Sequence, residues 1–240
     1  MDVGLKASLV RYAGGAVLER HAHGAAGVSI VLAGSIEEQV GSRTECGQVG
    51  SIVAKPAGVE HRNRVGKDGA ILLAINGREA HDIAAHGWRW AHSRRAAKVG
   101  LHLARDLKRG CAVDADQLIE LLACASPTRP HGPSMPTWIS EVRSRIDRES
   151  GPTPVTVLAD FADVHPVYLA RAFRMRFGCS IREYRRKERV RRAANLLATC
   201  DLPIATVAAA VGFFDQSHLC RDFKAELNVS PSDYRAIIRS

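Results

Sequence analysis

No uncharged apolar run long enough to cross a bilayer, roughly eighteen residues, occurs anywhere in the 240-residue sequence. The opening stretch, MDVGLKASLVRYAGG, also lacks the long apolar segment of a secretory signal. A soluble, cytoplasmic protein with no membrane partner is therefore expected. The six cysteines, at 46, 111, 124, 179, 200 and 220, include no Cys-x-x-Cys pair and no zinc-finger spacing. That excludes a disulfide framework and a thiolate zinc module, and leaves reduced thiols. What is present is a 46% hydrophobic content, ample for one large or two modest cores, and a net charge of +9 that favours a polyanionic partner.

One stretch appears twice. A gapless shift of fifty residues pairs Val157 with Val207, Ala159 with Ala209, Leu169 with Leu219, Arg171 with Arg221 and Phe173 with Phe223. It continues through Ser180 with Ser230, Tyr184 with Tyr234 and Arg185 with Arg235. Gly178 falls opposite Asn228, and these are the two residue types that most readily take the left-handed conformation ending a helix. Two tandem helix-turn-helix motifs are predicted. In the second, Asp215 caps a helix that buries Leu219 and Phe223 and turns Gln216, Ser217, Cys220 and Arg221 outward. An amide, a hydroxyl and a guanidinium on one exposed face suit base edges in a DNA major groove. The first motif turns Val167, Ala170, Arg171 and Arg174 outward on its own third helix. Only Arg171 among them is a strong base reader, so the second motif is expected to discriminate more.

Residues 5–76 read as β structure: short apolar runs such as Val28–Leu32, Ile52–Ala54 and Ile71–Ile75 alternate with glycine-bearing turns. Many short strands at close spacing suggest a small barrel or sandwich. Within them stand Gly15, five residues, His21-Ala22-His23 and later Gly34, then Gly50, five residues, Pro56-Ala57-Gly58, two residues, and His61. These words resemble the cupin family. In metal-binding cupins the three histidines and a glutamate after the second hold a divalent ion. Here Gly27 or Val28 takes the glutamate's place. His21, His23 and His61 thus mark either a divalent-metal site or a pocket for an organic ligand, whose acid group would pair with Arg62, Arg64 or the histidines.

From Glu79 to Cys124 the pattern turns helical, with Val99, Leu103 and Leu107 recurring every fourth residue and a second helix over Asp116–Ala125 behind Asp114 as cap. This segment is expected to pack on the sheet or to make a homodimer interface, with Trp88 and Trp90 as packing residues. Four prolines in residues 126–136 make an extended linker. Beyond it, Trp138, Val142 and Ile146 stripe a first helix that Gly151-Pro152 ends. Val157, Leu158 and Phe161 bury a second, and Asp201 is expected to cap a later one. Between the motifs lies SIREYRRKERVRRAANLLA, with six arginines and a lysine. A helix of that length spans roughly 27 Å. It would set the two reading helices about one DNA turn, ~34 Å, apart.

The words Tyr168-Leu-x-Arg171-x-Phe173, Phe177-Gly-x-Ser180-x-x-x-Tyr184-Arg and Val211-Gly-Phe213-x-Asp-Gln-Ser217-x-Leu-x-Arg-x-Phe-Lys224 carry a second resemblance, as does Val229-Ser-Pro-x-x-Tyr-Arg235. Residues 138–238 resemble the DNA-binding domain of the arabinose-regulator (AraC/XylS) family of bacterial transcription regulators, which commonly carries a cupin-like sensing and dimerisation domain. The resemblance implies a non-enzymatic activator or repressor that binds double-stranded DNA, answers a small-molecule effector, and has RNA polymerase as a further partner. The expected architecture is α+β and multidomain: a cupin-like β-barrel over 1–78, a helical dimerisation segment over 79–125, the linker 126–136, and an all-α tandem helix-turn-helix domain over 137–240. The rival reading is a metal-binding cupin sensor or enzyme with an appended DNA-binding domain.

Overall fold

The computed structural model describes residues 6–77, 80, 84, 87–111, 116, 117, 120, 121, 137–149 and 153–239. The proline-rich stretch 126–136, the Gly151-Pro152 stop and most of the helix expected over 116–125 lie outside the described residues. No described helix is long and apolar enough to cross a membrane. The chain divides into two compact units, one of Met1–Thr128, Ala194–Asp201 and Phe223–Ser240, the other of Arg129–Ala193 and Leu202–Asp222.

The first unit is built on an antiparallel sheet of β1 (Lys6–Tyr12), β2 (Val17–His21), β3 (Gly27–Val40), β4 (Arg43–Gln48), β5 (Ser51–Lys55), β6 (His61–Asn76) and β7 (Arg89–His92). The long strands β3 and β6 organise it: β3 pairs with β4, β5 and β6, while β6 also takes β1 and β2. Strand alternation then sorts the residues. Along β6, His61, Asn63 and Val65 are buried, whereas Arg62 and Arg64 are exposed. The two arginines expected to meet an organic acid beside His61 therefore face the other way. A one-residue period of side-chain reversal makes that outcome unavoidable once His61 points inward.

Strand β7 lies within the stretch expected to be helical. It adds to β5, with Trp90 opposite Val53. A Cβ placed on Gly47 would lie 2.3 Å from the Trp90 ring, so the bare glycine is what lets the indole approach the sheet. The helix α1 (Arg94–Lys108) follows, capped by the Ser93 hydroxyl, which accepts from the Ala96 amide (3.2 Å). It buries Ala96, Val99, Gly100, Leu103 and Ala104, packing on β3, and a Cβ at Gly100 would lie 3.0 Å from Ile30. Most of the apolar stripe read as a dimer face is thus covered by the chain's own sheet.

The same unit takes in the end of the chain. Its helix α8 (Pro231–Arg239) packs on α1 and buries Tyr234, Ile237 and Ile238. The Tyr234 hydroxyl donates to the Leu32 carbonyl (2.7 Å), at a point where the β3–β6 register slips and Leu32 has no partner in β6. Two residues on, the Gly34 amide donates to Asn195 Oδ1 (3.1 Å). Asp201 meets Arg239 rather than capping a helix. Leu202 and Pro203 separate it from the helix start, and Pro203 occupies the cap position without a side-chain bond.

The second unit is helical: α2 (Thr137–Arg148), α3 (Val155–Phe161), α4 (Pro166–Phe177), the first two-thirds of α5 (Ile181–Thr199), α6 (Ile204–Ala210) and the opening turns of α7 (Gln216–Leu227). One core cluster joins Ile139, Val142, Ile146, Leu158, Leu169, Phe173 and Ile181. The helix α3 buries Leu158 and Ala159, while Val157 and Phe161 stay 41% and 46% exposed, contrary to expectation. The gapless repeat explains the error. Burial matches Leu158 to Val207 and Ala159 to Ala208, a shift of forty-nine, because the turn before α7 holds one residue more than the turn before α4. From α4 onward the fifty-residue register holds, with Gly178 (φ 67°) and Asn228 (φ 62°) as matching left-handed stops.

Replacing Tyr234 by Phe removes one buried donor and leaves the Leu32 carbonyl without it, at a cost of about 1–3 kcal/mol. Urea unfolding of the full chain should show the midpoint fall with its slope unchanged. An unaltered midpoint would show that the hydroxyl is not satisfied there.

Candidate nucleic-acid interface and histidine pocket

Two helices present the faces expected of them. In α7, the Asp215 carboxylate accepts from the His218 amide (2.6 Å) and so fixes the first turn. Leu219 and Phe223 are fully buried, which leaves Gln216, Ser217 and Arg221 exposed and Cys220 half-buried. In α4, His165 is the cap and Pro166 the first helical residue. Leu169 and Phe173 are buried, and Val167, Ala170, Arg171 and Arg174 are exposed. All eight residues singled out in the sequence therefore stand on helix faces where the buried pair does not reach. Reading of the residues alone passed over Phe214, which occupies the extra turn residue and is 93% exposed.

The basic helix α5 starts with a capping box, in which Glu183 Oε2 accepts from the Ser180 amide (2.8 Å) and the Ser180 hydroxyl accepts from the Glu183 amide (3.2 Å). Its arginines then divide by role. Arg192 donates to the carbonyls of Glu149 (3.0 Å) and Asp147 (2.6 Å). Arg191 donates to the buried Glu188 carboxylate (2.9 Å). Arg189 lies 5.2 Å over the Phe213 ring, and Arg186 lies 4.0 Å from Asp222. Tyr184 accepts from Arg143 Nε (3.1 Å) and donates to Asp147 (2.8 Å). Burial and the nearby Asp147 charge raise its pKa well above that of free tyrosine, so it keeps the proton it donates. Much of the charge run is therefore internal mortar, and Arg182 is its one exposed arginine.

The three histidines do converge. His21 pairs with His61 across β2 and β6. His23 lies beyond the end of β2, its carbonyl held by the Gly58 amide (2.9 Å) of the Pro56-Ala57-Gly58 turn. Ring centroids are 4.4 Å (His21–His61), 5.0 Å (His23–His61) and 5.1 Å (His21–His23) apart, and one nitrogen from each falls within 4.8 Å of the others. Backbone carbonyls fix two rings: His21 Nδ1 to Glu19 (2.7 Å) and His61 Nδ1 to Val59 (3.0 Å). Both therefore donate from Nδ1, which turns Nε2 of each ring to the other side. His61 Nε2 is buried with no hydrogen-bond partner. Burial first, then the Lys55 charge, lowers the pKa of His23, and burial is likewise the largest cause of the lowering at His61. His61, with Nδ1 anchored and Nε2 orphaned, and the ring nitrogens of His21 and His23 within 4.8 Å fit a divalent cation such as zinc, nickel or iron.

Beside the rings stands a carboxylate that no sequence motif flagged. Glu38, on β3, is fully buried. Its Oε2 accepts from the indole nitrogens of Trp88 (2.6 Å) and Trp90 (3.1 Å), while its Oε1 meets Lys55 Nζ (2.6 Å) and lies 3.8 Å from His61 Nε2. The two tryptophans expected to pack are thus donors to a buried anion. A period-two register argument would have found Glu38 only once β3 was known to place it opposite Asn63, two residues from His61. The site opens on a cavity of about 220 Å³ lined by Tyr12, Ser29, Ile36, Leu72, His23 and Lys55.

Comparison with known proteins bears on the helical half of the chain. A family described as a helix-turn-helix domain matches residues 158–237. The arabinose operon regulatory protein of Salmonella typhimurium is 38% identical over 82 residues, 34% of this chain and 29% of that protein. The chain therefore spans under a third of that relative's length. The regulatory protein SoxS of the same organism is 35% identical over 98 residues, 41% of this chain and 86% of its own length. Among solved structures, the C-terminal domain of AraT, a response regulator from Geobacillus stearothermophilus, matches with 31% identity over 44% of this chain and 89% of that one, at a TM-score of 0.41.

The division among the arginines is measurable. Glu188→Ala strips a buried carboxylate from Arg191 and should destabilise the fold by about 1.5–3 kcal/mol. Arg171→Ala, on an exposed face, should stay within ~0.5 kcal/mol of the parent. Chemical denaturation of both variants tests the assignment, which fails if Arg171→Ala proves the more damaging change.

Proposed function

Because the chain belongs to the arabinose-regulator (AraC/XylS) family of transcription regulators, we propose that it binds double-stranded DNA sequence-specifically through α4 and α7 and that a small ligand in the sheet unit controls it. One observation carries this reading. The opening turns of α7 hold Gln216, Ser217 and Arg221 exposed on one face, while Leu219 and Phe223 anchor the other. Glutamine reads adenine, arginine reads guanine bidentately, and serine accepts or donates to either base edge. In α4 the small exposed Val167 and Ala170 meet thymine methyls at most, so Arg171 carries its base reading. SoxS, a regulatory protein, consists largely of the matched region, which supports a regulatory role for the C-terminal hundred residues.

A second reading concerns the sensing end of a cupin-like domain. The orphaned Nε2 of buried His61, within reach of His21 and His23, supports a divalent metal held by those three residues. When bound, such an ion supplies a Lewis-acidic position that takes an oxygen or nitrogen of an effector entering from the cavity. The histidines hold it, and the Glu19 and Val59 carbonyls keep two of the rings oriented.

Selection of bound sequences from a random duplex pool should yield a defined operator. Arg221→Ala should then relax preference at one base position and weaken binding to that operator by about 1–3 kcal/mol, leaving the salt dependence nearly intact. A variant that bound every sequence as well as the parent would show that α7 does not face the bases.

A further inference from the structure

The buried Glu38–Lys55 pair borders the histidine site and shares an atom with its surroundings. Glu38 Oε1 is the oxygen that Lys55 Nζ holds at 2.6 Å and also the one that lies 3.8 Å from the unpartnered His61 Nε2. The other oxygen is fixed by two indole donors, Trp88 and Trp90, so the carboxylate cannot turn away from the site without breaking both. Lys55 is freer. Its side chain is 14% exposed against none for Glu38, and a flexible four-carbon stem lets the ammonium withdraw to water. A fully buried anion demands a cation close by, and two can serve here: the ammonium, or a divalent ion on the histidines.

We propose that Lys55 is the resident counter-ion of a metal site completed by Glu38, and that a divalent cation binds His21, His23, His61 and Glu38 by displacing the Lys55 ammonium from Glu38 Oε1. This deepens the metal reading above and rests on it. The carboxylate comes from the far end of β3, not from position 27 or 28 after the second histidine, where the cupin-like pattern has none to offer. The exchange keeps the anchored rings and the indole-held oxygen; the lysine withdraws, and Oε1, which now lies 3.8 Å from His61 Nε2 and outside the three-histidine cluster, closes on the cation. It also sets the affinity. With Lys55 in place an incoming cation must overcome a like charge and break an ion pair, so the site responds at higher metal concentrations than three histidines and a free carboxylate would.

The test uses the full chain, stripped of metal and titrated with zinc chloride against a chromophoric chelator. Tryptophan emission is the second readout, since two of the three tryptophans donate to Glu38. Lys55→Met should bind zinc on the order of tenfold more tightly than the parent. Glu38→Gln should bind about 10–100-fold more weakly, the range seen when partners around a metal are lost. Lys55→Gln, which keeps a hydrogen-bond donor for Glu38 without the charge, should also tighten binding, and it covers the case in which the methionine variant folds poorly. Zinc should change the indole emission of the parent and not that of Glu38→Gln. Should His61→Ala abolish binding while the Lys55 and Glu38 variants match the parent, the three-histidine site stands and the exchange falls. If neither the parent nor either Lys55 variant binds zinc, both ideas fall together. Binding confined to the Lys55 variants would support the exchange directly.

Discussion

Leu169 and Phe173, and fifty residues later Leu219 and Phe223, are buried without measurable exposure, and that burial decides where everything else on those helices points. Two apolar side chains four residues apart fix the rotation of a helix about its own axis. Taking either pair out of water is worth several kcal/mol by area. The exposed residues between them contribute little to folding and are free to serve recognition. Gln216, Ser217 and Arg221 owe their accessibility to the hydrophobic pair opposite. The Asp215 cap and the left-handed stops at Gly178 and Asn228 set where the helices begin and end.

The charge of the chain reads differently once the contacts are known. A net +9 invites a picture of a basic surface laid on phosphate. Yet Arg191 and Arg192 are tied to Glu188 and to the carbonyls at the end of α2, and Arg189 covers Phe213. Arg191 and Arg192 carry hydrogen bonds within the fold, and Arg189 packs on a ring. In the helical unit Arg171, Arg174 and Arg221 stay in solvent on α4 and α7. Charge count therefore overstates the phosphate-binding surface, and the helix positions that stay exposed are the better guide.

In the sheet unit the organising fact is alternation along β6 and β3. Once His61 turns inward, Asn63 and Val65 must follow, and Arg62 and Arg64 must face out. On the neighbouring strand the same rule brings Glu38 into the interior beside His61, where burying a carboxylate requires Lys55 and two indoles to satisfy it. Farther along β3, Leu32 meets Tyr234 on α8 and Gly34 meets Asn195 on α5. A single strand thus carries the border of the pocket at one place and the anchorage of α8 at another.

Sequence alone determined the tandem helix-turn-helix motifs, the exposed faces of α4 and α7, the Asp215 cap and the left-handed stops, because helical periodicity, capping residues and such stops are local properties written within a few residues of one another. It also brought His21, His23 and His61 together through a familiar motif. It missed the one-residue slip between α3 and α6, because a short helix holds too few buried positions to expose a register error. It misread Asp201 and the strand at 89–92, since their states depend on Arg239 and on the free edge of β5, both distant in the chain. Glu38, Lys55, Trp88 and Trp90 were invisible as a group for the same reason. Long-range pairing puts Lys55, Trp88 and Trp90 around the one buried Glu38 carboxylate, and no local pattern encodes it.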